Sequence, residues 1–164
     1  MIIGDDFLKI AFQIEFIISD YSSPSGMFNF VINEKLIPGE SVAIDLYVAI
    51  SSLKDSICNE LIESTPDIGN VDLDELDFSE GAPEGIIWLD TGVAEISGRG
   101  YWFYLGFNGD EERLIFTKDA GKSYQESRYV RGTIKRLIDN LPNSDELEII
   151  KRNDIVLLTD LKNI

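Results

Sequence analysis

The sequence predicts an α+β fold: a single domain of mainly antiparallel sheet with two or three helices packed on it. Three observations predict it. Segments whose apolar residues alternate at a period of two follow one another directly, which favours antiparallel hairpins over parallel crossovers. Two other segments carry apolar residues at helical spacing. Asn108-Gly109 separates two strand-like runs and is a strong hairpin signal. A chain of 164 residues that is 44% hydrophobic can bury a substantial core, which sets it apart from disordered chains of similar charge. One domain is expected to span residues 1–164.

The first strand runs over Phe7–Ile18. Ile10, Phe12, Ile14, Phe16 and Ile18 point one way, and Lys9, Ala11, Gln13 and Glu15 the other. Ser19–Gly26 reads as a loop by composition. Met27–Asn33 alternates again, with Phe28, Phe30 and Ile32 inward and Asn29 and Asn33 outward. Ile37-Pro38-Gly39 is a turn, after which Ser41 can cap a helix. Val42, Leu46, Ile50, Leu53, Ile57 and Leu61 form a helical stripe, predicting one helix to about Glu63. A competing reading is a strand over Val42–Val48 followed by a shorter helix from Ser51.

Residues 65–84 contain Pro66, Gly69, Gly81 and Pro83 with acids between them. They read as a long acidic loop with room for one helical turn around Asp72–Asp77. Such a loop in a compact domain is usually functional or mobile. Strands follow at Gly85–Glu95, Tyr101–Phe107 and Leu114–Lys118, with a short one at Arg128–Val130. Thr133–Leu141 shows a helical face of Ile134, Leu137, Ile138 and Leu141, stopped by Pro142. Glu146–Arg152 fits either type, and Ile155–Leu158 is an apolar run.

Charge is the anomaly. The formal net charge of −16 divides as −4 over Met1–Lys54, −12 over Asp55–Gly98 and 0 over Arg99–Ile164. The middle block holds twelve acidic side chains and no Lys or Arg. It repels itself, so a demand outside folding is expected to maintain it, and the reading is that it faces a basic partner. The candidate contact residues are Asp72, Asp74, Glu75, Asp77, Glu80 and Glu84, with Trp88 and Asp90 on the strand that follows. A tryptophan amid carboxylates suits an interface anchor, and core packing suits it equally.

Other chemistry is poorly served. A pI near 4.2 argues against direct nucleic-acid binding and against an anionic membrane surface. Without histidine the usual general base is missing, and so is the commonest transition-metal ligand. Lone Cys58 makes no intrachain disulfide and has no visible base, so it reads as a packing residue. Asn70, Asp72 and Asp74 have the spacing of a calcium loop, but Glu75 stands where the turn needs Gly and Gly81 where a closing Glu belongs. Gly121-Lys122-Ser123 lacks the upstream Gly of a phosphate loop, since Phe116 occupies that place. No metal, cofactor or catalytic residue is expected. The aromatic run Tyr101–Tyr104 has no local cations and reads as sheet packing. The first residues lack a basic leader and the Ile10–Ile18 run contains Gln13 and Glu15, so a cytoplasmic location is expected.

Several of these segments resemble bacterial immunity proteins, the cytosolic antidotes of polymorphic-toxin and contact-dependent growth-inhibition systems. They are the opening Ile2-Ile3-Gly4-Asp5, the alternating strand Phe7–Glu15, the strand Gly26–Asn33, the Pro-Gly turn and the apolar helix ending in Leu53-Lys54. Trp88–Asp90 and the hairpin after it are similar more loosely. The resemblance implies a non-enzymatic inhibitor that binds the C-terminal toxin domain of a cognate effector, often a nuclease with a basic cleft. Whether it acts as a monomer or a weak homodimer is left open. Two readings compete: a DNA-mimicking inhibitor of nucleic-acid-binding proteins, and a hydrolase working through a carboxylate pair.

Overall fold

A computed structural model describes residues 1–17, 24–39, 43–143, 150–152 and 155–157. It confirms the α+β class and divides the antiparallel strands between two main sheets. The first sheet holds β1 (Ile2–Gly4), β2 (Leu8–Ile17), β3 (Pro24–Ile32) and β4 (Lys35–Ile37) in that order, with β5 (Ile44–Asp45) also on β3. The second holds β6 (Ile86–Trp88), β7 (Trp102–Asn108), β8 (Glu111–Thr117) and β9 (Gln125–Val130), each paired with its sequence neighbour. β10 (Ile150–Arg152) and β11 (Ile155–Leu157) form a hairpin, so the described part of the ambiguous Glu146–Arg152 segment is strand, and its residues 146–149 lie outside the described residues.

The period-two alternation explains both sheets. Leu8, Ile10 and Phe12 of β2 and Phe28, Phe30 and Ile32 of β3 are buried on one face. On β7 the inward set is Phe103, Leu105 and Phe107. Ring centroids of Phe30 and Phe103 lie 4.5 Å apart, so the two sheets contribute to one hydrophobic cluster. Helix α1 (Leu46–Asp55) adds Leu46, Ala49, Ile50 and Leu53, and α4 (Thr133–Asp139) adds Ile134, Leu137 and Ile138. The side chains of Ile14, Phe16 and Ile18 lie outside the described residues.

Several expectations need correction. The single helix ending near Glu63 is two helices. Ile44 and Asp45 are held extended by pairing with Gly26 and Ser25 of β3, so α1 starts at Leu46. Asp45 caps it by accepting the Val48 N–H at 3.1 Å. The helix ends at Ser56, Cys58 is extended and exposed where a packing residue was expected, and α2 (Asn59–Ser64) begins again. The stripe survives the break because Ile57 stays buried, whereas Leu61 is exposed. The expected cap at Ser41 and the first stripe residue, Val42, lie outside the described residues, and the competing strand reading is too long.

The strand expected over Gly85–Glu95 stops at Trp88. Asp90 accepts the Gly92 N–H at 2.8 Å in a turn, and α3 (Ala94–Ser97) follows. Asn29 lies on the expected outward face, opposite Ala11, but is buried there. Its Oδ1 accepts the Gly39 N–H at 2.7 Å and ties down the turn after β4.

One buried carboxylate positions α4. Glu112 stands on the core face of β8 opposite Phe107 and is 1% exposed. It accepts the N–H groups of Gly132 and Ile134 at the start of α4, where unpaired backbone donors favour an anion. Burial pushes its pKa up against the lowering effect of those bonds.

Candidate functional site

The outer face of the second sheet carries the residues of opposite parity: Ile86 and Trp88 on β6, Trp102, Tyr104 and Gly106 on β7, and Arg113 and Ile115 on β8. A sheet face this apolar must be covered. The acidic loop of residues 65–84 covers it. Ile68, Leu73, Leu76 and Phe78 pack on a cluster of Ile86, Tyr104 and Ile115. Phe78 stacks on Tyr124 at 4.1 Å and meets Tyr104 at 4.9 Å. Asp72, Asp74, Glu75, Asp77, Glu80 and Glu84 are all exposed. The loop is thus two-sided, with its apolar residues down on the sheet and its carboxylates out in water. The expected helical turn is a single 3₁₀ turn, Leu73–Glu75.

Hydrogen bonds and a salt bridge fix the start of the loop. The Ile68 and Gly69 N–H groups donate to the Phe107 carbonyl at 3.0 and 3.3 Å. Asp67 accepts the Gly109 N–H at 2.8 Å and the Arg131 guanidinium at 2.9 Å. Beneath the loop, Arg113 is 1% exposed; it donates through Nε to Glu126 at 2.7 Å and through Nη1 to the Gly69 carbonyl at 3.1 Å. Gly106 leaves room for this seat, since a Cβ there would stand 2.7 Å from Ile68 Cδ1 and 2.9 Å from Ile86 Cδ1.

Where the loop returns to the sheet, Gly85 has φ +78°, and a Cβ would fall 2.6 Å from Ile68 Cγ2 and 3.0 Å from the Pro66 carbonyl. Gly85→Ala should therefore combine left-handed strain with a clash at the loop base. A loss of about 2 kcal/mol is expected, seen as a melting temperature lower by roughly 4–8 °C.

The Gly109 N–H and then Arg131 hold the Asp67 carboxyl below its ordinary value of 3.8. A lowered folded pKa means that the tie stabilises the fold above the unfolded value and is lost as pH falls below it. Asp67→Ala should therefore speed amide exchange at Ile68 and Gly69 at neutral pH. The difference from wild type should shrink once the pH drops below about 3.8.

Beyond Phe78 the loop and sheet leave an open groove of about 440 Å³. It is lined by Phe78, Ser79, Gly81 and Ala82 of the loop, Trp88, Trp102 and Tyr104 of the sheet, and Ser97 and Gly98. Trp88 is 48% exposed, so it stands at the surface and not in the core. Trp102 donates its indole N–H to the Ser97 carbonyl at 2.9 Å, which fixes its ring. Burial, followed by the neighbouring Tyr124, pushes the Tyr104 hydroxyl up to about 12, so it stays neutral. The Ser79 hydroxyl and N–H hold the Asp77 carboxyl below its ordinary value.

The fold therefore gathers Trp88 and the six loop carboxylates on one side of the second sheet. Asp90 is not brought into the groove. Its carboxylate is engaged in its own turn, and the adjoining Gly92 packs close to Ser52 and Val48 of α1. Phe78, Trp102 and Tyr104 were not singled out as site residues from sequence. Their signal was parity: Trp102 and Tyr104 must lie opposite Phe103 and Leu105 on the strand. Among the described residues, no three His, Cys, Asp or Glu side chains are grouped to hold a metal ion. Nor is any helix among them long and apolar enough to cross a membrane.

Comparison with known proteins supplies the remaining observation. The sequence matches the model of the family described as Immunity protein 42 over residues 1–144, a span that includes both main sheets, the acidic loop and helices α1–α4. The chain belongs to the Immunity protein 42 family. The resemblance to immunity proteins seen in Met1–Lys54 and around Trp88 thus extends through the acidic loop. Among solved structures, a crystal structure of CdiI from Burkholderia dolosa AUO158 is similar with a TM-score of 0.52 and 16% sequence identity, covering 85% of this chain and 97% of that one. At that identity the likeness is one of fold. No curated protein matches the sequence.

Proposed function

We propose that this protein binds the toxin domain of a cognate contact-dependent growth-inhibition effector in the cytoplasm and neutralises it without catalysis, through the exposed face of the acidic loop and Trp88. We further propose that the toxin is a nuclease with a basic, phosphate-binding cleft. Membership of an immunity-protein family supports the first part. The observation that carries the surface assignment is the two-sidedness of the loop: its apolar residues are spent on the sheet while six carboxylates are left in water with no cation in the block.

Carboxylates present the charge of phosphate and can pair bidentately with arginine, so this face can occupy a cleft built for nucleic acid. A concentrated negative field also speeds encounter with a basic partner, an advantage for an antidote competing with its toxin's substrate. The test is co-expression with the basic C-terminal domain of the effector encoded beside it. Protection from growth arrest is expected, with a purified complex whose association slows as salt rises. A protein that neither protects nor forms that complex would remove the reading. Nuclease activity in the free domain, abolished in the complex, tests the second part.

A further inference from the structure

We infer that the groove between the acidic loop and the second sheet receives an arginine side chain of the toxin. Its guanidinium would lie against Trp88 and Trp102, and loop carboxylates would meet it at the mouth. This rests on the proposal that the loop face meets the toxin, and it names what that face recognises. The lining is aromatic and small, with Phe78, Trp88, Trp102 and Tyr104 as its large members, and it contains no Lys or Arg. The polar atom of Trp102 is already satisfied by Ser97, and Trp88 is half exposed. What the groove offers is therefore π surface.

Its rim is charged. Asp77 precedes Phe78, Glu80 stands between the lining residues Ser79 and Gly81, and both carboxylates are exposed. An apolar side chain would use the floor and gain nothing from the rim. A lysine would use the rim, but its compact ammonium is strongly hydrated and stacks poorly. A guanidinium is flat and weakly hydrated. It can lie on an aromatic face while its N–H fork reaches a carboxylate.

The molecule already contains that arrangement at the other end of the loop. Arg131 lies over the Phe107 ring at 4.3 Å and bonds Asp67 at 2.9 Å. The groove repeats two of those three parts, the aromatic face and the carboxylates, and the third would come from the partner.

The experiment titrates the whole protein with blocked Gly-Arg-Gly peptide and follows the two tryptophan indole N–H signals by NMR. Matched peptides carry citrulline or leucine in place of arginine. A saturable shift of both indoles is expected with the arginine peptide, with Kd on the order of millimolar. Citrulline, which has the shape without the charge, should bind roughly tenfold more weakly. Trp88→Phe should keep most of the affinity and Trp88→Leu should lose it. Both substitutions are at a half-exposed site, and circular dichroism checks their folding.

A leucine peptide that binds as well as the arginine peptide would overturn the inference, as would the absence of any saturable shift. Growth protection by the wild-type protein separates the two levels. Protection without arginine binding removes the groove assignment and leaves the antidote reading. Arginine binding without protection or complex formation removes the toxin from both.

Discussion

Replacing Asp72, Asp74 and Asp77 together with Asn is expected to weaken the toxin complex by roughly a hundredfold, with folding intact or slightly improved. Each exposed carboxylate that meets a cation across an interface is expected to change affinity by about fivefold, so three give on the order of a hundredfold. Most of the loss should appear in the association rate, and the salt dependence should flatten with it, because long-range attraction acts on encounter. Stability should hold because the three side chains point away from the packed side of the loop. Asn also preserves the turn in which Asp77 Oδ1 accepts the Ser79 N–H at 2.9 Å. Asp72 precedes the 3₁₀ turn without a side-chain cap bond, so nothing is lost there. Removing three like charges from a block of −12 relieves repulsion. Surface plasmon resonance at two salt concentrations, with thermal unfolding beside it, checks both halves. Unchanged binding would place the partner elsewhere and make the block a solubility feature.

Arg113→Ala should have the largest effect on stability. The guanidinium is 1% exposed, is paired with Glu126 at 2.7 Å and holds the Gly69 carbonyl under the loop. Removing it leaves that carbonyl without its side-chain donor, opens a void beneath Ile68 and strips one partner from a carboxylate that is only 21% exposed. Breaking a buried pair in this way costs about 3–5 kcal/mol. The lower end applies, because Glu126 keeps Arg128 at 3.0 Å. A loss of about 3 kcal/mol lowers the melting temperature by roughly 6–12 °C in a chain of this size. Binding should weaken as well, because the loop loses the anchor that sets its height above the sheet. Amide exchange at Ile68 and Gly69 separates loosening of the loop from global unfolding.

The strands were legible because one buried face imposes a period of two, and the Asn108-Gly109 hairpin because its turn chemistry is local. The helix break at Ser56–Cys58 was hidden because Ile57 stays in the stripe across it. The start of α1 depended on Ile44 and Asp45 joining β3, a contact made at long range. The acidic loop shows the same limit more sharply. Ile68, Leu73, Leu76 and Phe78 recur at steps of five, three and two, which fits neither helix nor strand. Only the sheet beneath gives that spacing a meaning. The six acidic candidates on the loop were visible from charge alone, and Trp88 stood out as an aromatic among them. The groove was not, since Trp102 and Tyr104 looked like ordinary sheet packing until the loop's end was placed beside them. Nothing local in the sequence marks Glu112 and Arg113, and both are buried where a backbone end or a covering loop supplies their partners.

The central claim is that the toxin is held by one face, made of the acidic loop and the groove beside Trp88. Hydrogen exchange of the complex against the free protein tests it most directly. Added protection should fall on residues 70–84, on Trp88 and on Ser97–Tyr104, with the first sheet and α1 unchanged. Protection confined to the first sheet or to β9 and α4, with the loop still exchanging as in the free protein, would contradict it.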